Sequence, residues 1–118
     1  MQEPTRQSDL NLLWGPFKVK VERLIAAMVK RGFDPRPFET LRSPQRQAWL
    51  YGIGRTHQLQ RKPVTWVKKS IHQAGKACDV ISRSRLWDWP EFYSALKQEA
   101  NALGLVVLKI ERCHVQYK

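Results

Sequence analysis

Apolar residues recur along this chain with two different periods. Over about Phe17–Arg31, Val21, Leu24, Ile25 and Met28 follow the i, i+3, i+4, i+7 spacing of a helix with one buried face, and Gly32 suits the position just past its end. Phe33-Asp34-Pro35-Arg36-Pro37 reads as a turn into a short extended piece, Phe38–Leu41. Ser43-Pro44 has the form of an N-cap and first residue of a second helix, which runs to about Tyr51 and is closed by Gly52. A loop follows from Ile53 to about Lys69. The segment Ala77–Ile81 alternates as a buried strand does. Asp88-Trp89-Pro90 opens a third helix with Trp89, Phe92, Leu96 and Leu103 on one side and Gly104 at its end. The apolar, β-branched run Leu105–Ile110 predicts a strand and Val115–Tyr117 a last short one. Residues 1–16 are polar and irregular and read as a loosely held leader before a single domain spanning 17–118. Helices interspersed with short antiparallel strands predict an α+β fold: a small antiparallel sheet with helices packed on one face.

A chain of 118 residues can bury one modest core, and five Trp with 42% hydrophobic residues argue against disorder. No apolar run is long enough to span a bilayer. The opening Met1-Gln2-Glu3-Pro4 does not resemble a signal peptide, so synthesis in a cytoplasm is expected, with access to any wall substrate depending on another protein. Under those conditions Cys78 and Cys113 are not expected to form a disulfide. The net charge of +11 changes the picture more. No acidic residue lies between Glu39 and Asp79, whereas Arg42, Arg46, Arg55, Arg61, Lys62, Lys68, Lys69 and Lys76 do. Such a basic face suits an anionic partner, whether nucleic acid, a membrane surface or a bacterial envelope; charge alone does not choose.

Among side chains able to bind metal, His72 precedes Asp79 with Gly75 between them, and His114 lies near the C-terminus, three residues after Glu111. Two imidazoles and one carboxylate form a three-ligand set with room for water, the catalytic form of a zinc site, and Glu111 is a candidate proton acceptor. Spacing of this kind is common, and by itself it favours core or surface histidines over ligands.

The run Ser70-Ile71-His72-Gln73-Ala74-Gly75-Lys76-Ala77-Cys78-Asp79 resembles the S-x-H-x-x-G-x-A-x-D signature of the LAS-type zinc peptidases, and Glu111-Arg112-Cys113-His114 resembles their [DE]-x-x-H. Thr40-Leu41-Arg42-Ser43-Pro44-Gln45-Arg46-Gln47 is similar to their T-x-R-S-x-x-R-Q segment. Leu50-Tyr51-Gly52-Ile53-Gly54-Arg55-Thr56 with Val64-Thr65-Trp66 resembles a stretch found in the phage L-alanyl-D-glutamate endopeptidases among them. The resemblance implies the fold of D-Ala-D-Ala carboxypeptidases and hedgehog-like zinc peptidases. It implies one Zn2+ per chain on His72, Asp79 and His114, and Glu111 as the general base that later protonates the leaving amine. It also implies Arg42 across the cleft meeting the oxyanion, Ser70 supporting a ligand or the substrate by hydrogen bonding, and Gln47 tying the second helix to the sheet.

The activity so implied is cleavage of a peptidoglycan stem peptide, with L-Ala–D-Glu preferred to D-Ala–D-Ala. Its expected setting is a phage or prophage endolysin held in the host cytoplasm until it reaches the periplasm or wall, where the basic face would keep it on an anionic envelope. Two departures stand out. Cys78 and Cys113 flank ligand positions, where strand alternation points their thiols away from the metal and into the core; a thiolate joining the ligand set is the alternative. Gly104–Glu111 also lacks the Trp/Gly-rich loop of many relatives. The competing readings are a basic nucleic-acid binder, in which Trp49, Tyr51 and Trp66 would stack on bases, and a degenerate peptidase fold used for binding. The first leaves the His72–Asp79 and Glu111–His114 spacing unexplained, and the second does not need Glu111.

Overall fold

A computed structural model describes residues 2–109 and 111–118. Helix α1 (Gly15–Lys30) starts two residues before the expected bound and ends one before it; it buries Phe17, Val21, Leu24 and Met28, while Ile25, expected on the same stripe, is half-buried against the core. It stops in a Schellman motif: Gly32, at φ +92°, donates to Val29, and Phe33 donates to Met28. Ser43 caps α2 (Pro44–Gly52) by accepting from the Arg46 amide, as expected. Helix α3 (Pro90–Ala102) buries Phe92, Tyr93, Ala95, Leu96 and Ala100 against α1.

Among the described residues, four strands form one antiparallel sheet in the order β1-β2-β4-β3, with β1 at Pro35–Glu39, β2 at Ala77–Ser82, β3 at Val106–Val107 and β4 at His114–Gln116. β1 corrects the sequence reading. Pro35 and Pro37 lie inside the strand rather than in a turn, because β1 is an edge and a proline there loses no ladder donor that the sheet needs. The strand expected over Leu105–Ile110 is also much shorter. It pairs only where β4 offers partners, Val106 with Gln116 and Val107 with Val115, before the chain turns back through Glu111–Cys113. Ile110 lies outside the described residues.

The sheet separates core from site. Cys78 and Val80 of β2 and Val115 of β4 join α1 and α3 in one apolar cluster. Side chains alternate along a strand, so Asp79 and His114 face the other way, and the two residues are direct cross-strand partners. Each large side chain fully buried on the core side contributes about 1.5–3 kcal/mol.

The segment read as a loosely held leader is instead docked. Leu10–Leu12 forms a 3-10 turn capped by Asp9, Leu13 enters the core, and the Trp14 amide donates to the Gly75 carbonyl. Further back, the Gln7 carbonyl accepts from the Thr40 amide. These partners are remote in sequence, so local composition carried no sign of them.

Candidate metal centre

His72 is carried by a short 3-10 helix, Ile71–Ala74, whose start is fixed by a capping box: the Ser70 hydroxyl accepts from the His72 amide and the Gln73 side chain accepts from the Ser70 amide. Gly75 then takes φ +69° and turns the chain into β2, which brings Asp79 back past His72. A β-carbon on Gly75 would sit 3.1 Å from the Trp14 nitrogen, so the leading segment also packs tightly against this turn.

The three candidate ligands converge. Single ligand atoms of His72, Asp79 and His114 all lie within 4.8 Å of one another, and among the described residues this is the group able to hold a metal. The His72 Nδ1 donates to the Thr40 carbonyl at 2.9 Å; since a carbonyl only accepts, the proton sits on Nδ1 and the Nε2 lone pair is free. That Nε2 is buried, has no hydrogen-bond partner among the described residues and lies 3.5 Å from Asp79 Oδ1. His114 is arranged in reverse: its Nε2 donates to the Gln116 Oε1 at 2.8 Å, leaving Nδ1 directed at Asp79 Oδ1, 3.6 Å away. An orphaned acceptor beside a carboxylate is the donor set a divalent cation completes, and the outer hydrogen bonds set each ring's tautomer.

The electrostatics agree. Burial alone would raise the Asp79 carboxyl, but the neighbouring His72, His114 and Arg42 outweigh it and hold the group below the usual range, ionised. Burial and the neighbouring His72 hold His114 down, in the neutral form a ligand requires. Burial, then the Asp79 charge, pushes the Cys113 thiol up to about 12. Cys78 is fully buried in the core, Cys113 packs against the core from its rim, and neither belongs to the metal-capable group.

Glu111 is half-exposed, with Oε2 3.6 Å from His114 Nδ1. Arg42 lines the same cavity and is firmly held: it donates to Glu39 at 2.7 Å and to Gln47 at 2.8 Å, and its NH2 is 3.9 Å from Asp79. Gln47, expected to tie α2 to the sheet, ties it instead to Arg42 and to the Val67 carbonyl of the long loop. Glu39, which sequence reasoning missed, is the buried hub. Burial would raise its carboxyl, but hydrogen bonds from Arg42 and Arg46 hold it down, and it is the cross-strand partner of Asp79. Its one sequence signal is the i+3, i+7 spacing of the two arginines that follow it. His57 stays apart in the long loop, its ring against Trp49.

The site opens into a cavity of about 880 Å3 whose floor carries Arg42, His72, Asp79 and His114. Trp66 and Leu108 supply apolar wall, and Arg61, Lys69 and Lys109 supply positive charge. Gly54 and Arg55 shape the loop bearing Trp66. The Arg55 guanidinium donates to the Tyr51 and Thr65 carbonyls, and a β-carbon on Gly54 would come within 2.6 Å of the Arg61 carbonyl.

The sequence matches no family model and no curated protein at a significant level. Solved structures do match. The LD-carboxypeptidase LdcB superposes at TM-score 0.70 with 18% identity, over 89% of this chain and 58% of that one, so the chain spans under two thirds of that relative. The D,D-pentapeptidase VanY from the VanB-type vancomycin resistance cassette, solved with Zn(II), gives 0.71 at 17% identity, over 89% of this chain and 72% of that one. The L-Ala D-Glu endopeptidase ChiX of Serratia marcescens gives 0.59 at 21% identity, over 92% and 83%. This chain has the LAS-type zinc-peptidase fold of these neighbours, an antiparallel four-stranded sheet with helices on one face.

Proposed function

We propose that the protein is a zinc peptidase that hydrolyses a bond of the peptidoglycan stem peptide, L-Ala–D-Glu in the first instance and D-Ala–D-Ala in the second. The observation that carries this reading is the pair of histidines whose free nitrogens, Nε2 of His72 and Nδ1 of His114, both face the ionised Asp79 at the floor of a long cavity. These residues would hold the zinc. When bound, zinc supplies a Lewis-acid charge and lowers the pKa of water to about 7.

The remaining work falls to the chain's own groups. Glu111, half-exposed beside His114, takes a proton from the attacking water and returns it to the departing nitrogen. Arg42, fixed by Glu39 and Gln47, keeps a positive charge beside Asp79 where the carbonyl oxygen gains negative charge. Ser70 holds the His72 backbone. The preference for L-Ala–D-Glu is supported by the Gly54-Arg55-Thr56 and Val64-Thr65-Trp66 stretches: Val64, Thr65 and Trp66 line the cavity, and Arg55 holds the Thr65 carbonyl from behind. The setting we propose is a phage or prophage endolysin, stored in the host cytoplasm and released to the wall. Exposed Lys62, Lys68 and Lys69 favour retention on an anionic envelope. Digestion of purified muropeptides, read by mass spectrometry, tests the reading. A new amine at D-Glu names the endopeptidase and loss of terminal D-Ala the carboxypeptidase; an unchanged stem peptide rejects both.

A further inference from the structure

The contacts of residues 3–7 converge on the two side chains that prepare the site, by two separate routes. In the first, the Gln7 carbonyl accepts from the Thr40 amide at 2.8 Å and from the Thr40 hydroxyl at 3.3 Å. Thr40 is fully buried, and its own carbonyl accepts the Nδ1 proton of His72. Thr40 is thus held on both sides of its α-carbon, and the acceptor that selects the His72 tautomer is fixed by the leading segment. In the second route, the Pro4 carbonyl accepts from Arg46 NH1 at 3.0 Å, with the Glu3 carboxylate 3.5 Å from the same nitrogen. Arg46 Nε donates to Glu39, whose other oxygen receives Arg42. Between these anchors the Arg6 guanidinium lies 3.7 Å from the centre of the Phe38 ring, and Phe38 meets Trp87 edge-on. Glu3, Phe38 and Trp87 all line the site cavity.

We infer that residues 3–7 form a positioning strap for the site: through Thr40 they orient His72, through Arg46 and Glu39 they orient Arg42, and with Glu3 they complete one wall of the cleft. The inference rests on the reading of His72 as a ligand and the cleft as a peptide site, but the strap makes its contacts without any ligand. Its hold is distinct from folding, because the core residues begin at Leu13 and the strap side chains lie at the surface. Partners that orient a metal ligand from outside typically set 10–100-fold in metal affinity.

The test uses the full chain carrying Glu3→Ala and Arg6→Ala together, which loosens the strap while leaving Thr40, His72, Glu39, Arg42 and Arg46 in place. In the metal-free protein, nitrogen-resolved NMR should show the Thr40 amide exchanging about tenfold faster and His72 shifting from one tautomer toward a mixture. Chelator competition should show zinc affinity lower by about tenfold, and hydrolysis of an L-Ala–γ-D-Glu peptide should show a higher KM. A second variant lacking residues 2–7 should extend each effect while the melting transition stays cooperative. Unchanged Thr40 exchange and an unchanged His72 tautomer in the double variant overturn the strap, whatever the deletion does. Changed NMR behaviour with no peptide cleaved by either protein would instead sustain the strap and reject the peptidase reading.

Discussion

The carbonyl of Thr40 accepts the Nδ1 proton of His72 at 2.9 Å, and this one bond decides that Nε2 is the end of the ring presented to Asp79. His114 uses the opposite nitrogen, with Gln116 in the role of Thr40. The site is therefore asymmetric in its donors and specified from outside by two acceptors.

Metal content follows from that arrangement. Purified protein should carry about one zinc per chain, and His114→Ala should release it, because two ligands from the remaining set fall short of a closed coordination sphere. Elemental analysis after exhaustive dialysis checks this. Full zinc occupancy in the variant would remove His114 from the ligand set.

Glu111→Gln separates proton transfer from metal binding. Glu111 touches His114 only at 3.6 Å and is half-exposed, so its amide should retain zinc while turnover on the stem peptide falls by about 10²–10⁴. If zinc leaves with the carboxylate, Glu111 is a ligand and the division of roles is wrong.

Glu39→Ala should be among the most costly single changes. It leaves Arg42 and Arg46 without their shared carboxylate at a buried position, a loss of about 3–5 kcal/mol for broken buried pairs. Urea unfolding reads it directly, and a change within the scatter of ordinary surface substitutions would show that Asp79 or Glu3 takes over.

Besides Asp79, acid should weaken the fold through two further carboxylates. Hydrogen bonds from Ser84 and Ser82 hold Asp34 below its ordinary 3.8, and Arg42 and Arg46 overcome burial to hold Glu39 below 4.5. Both are depressed in the folded state, so the stability they contribute is fully present above those ordinary values and is lost as pH falls through the lower folded ones. Melting temperature should be flat near neutrality and drop in acid, and Asp34→Asn should shallow that drop. An unchanged acid limb in Asp34→Asn would refute the Asp34 share.

Gly75→Ala tests the turn between His72 and Asp79. The residue would have to hold φ +69° with its β-carbon against Trp14 and Leu12, a conformational cost of about 1–2 kcal/mol before any repacking. Zinc affinity should fall together with stability, since the turn that strains is the one that aligns two ligands. Calorimetry beside chelator competition measures both.

How far the residues announced this structure depends on distance along the chain. The buried stripe of α1 and the Ser43-Pro44 cap are local statements, and they read correctly from spacing alone. β1 did not, because Pro35 and Pro37 signal a turn unless the strand is known to be an edge, which only the sheet order reveals. Val106–Val107 stopped short of the expected strand because pairing, not β-propensity, sets where a strand ends. In the site, the gathering of His72, Asp79 and His114 was legible through a resemblance, whereas Glu39, Gln116 and the Gln7–Thr40 bond depend on partners brought together by folding.

The direct cross-strand pairing of Asp79 with His114 also bears on which chains can reach the native state at all. Each neighbour along β2 and β4 points to the opposite face, so inserting or deleting one residue between Gly75 and Asp79 would turn Cys78 and Val80 outward as it turned Asp79 inward. A slipped chain would place a carboxylate in the apolar cluster and lose its greasy partners at once. Assembly of the cation site and assembly of the core are thus checked by a single alignment, and length changes should be tolerated in the Ile53–Lys69 loop but not in the short stretch from Gly75 to Ser82.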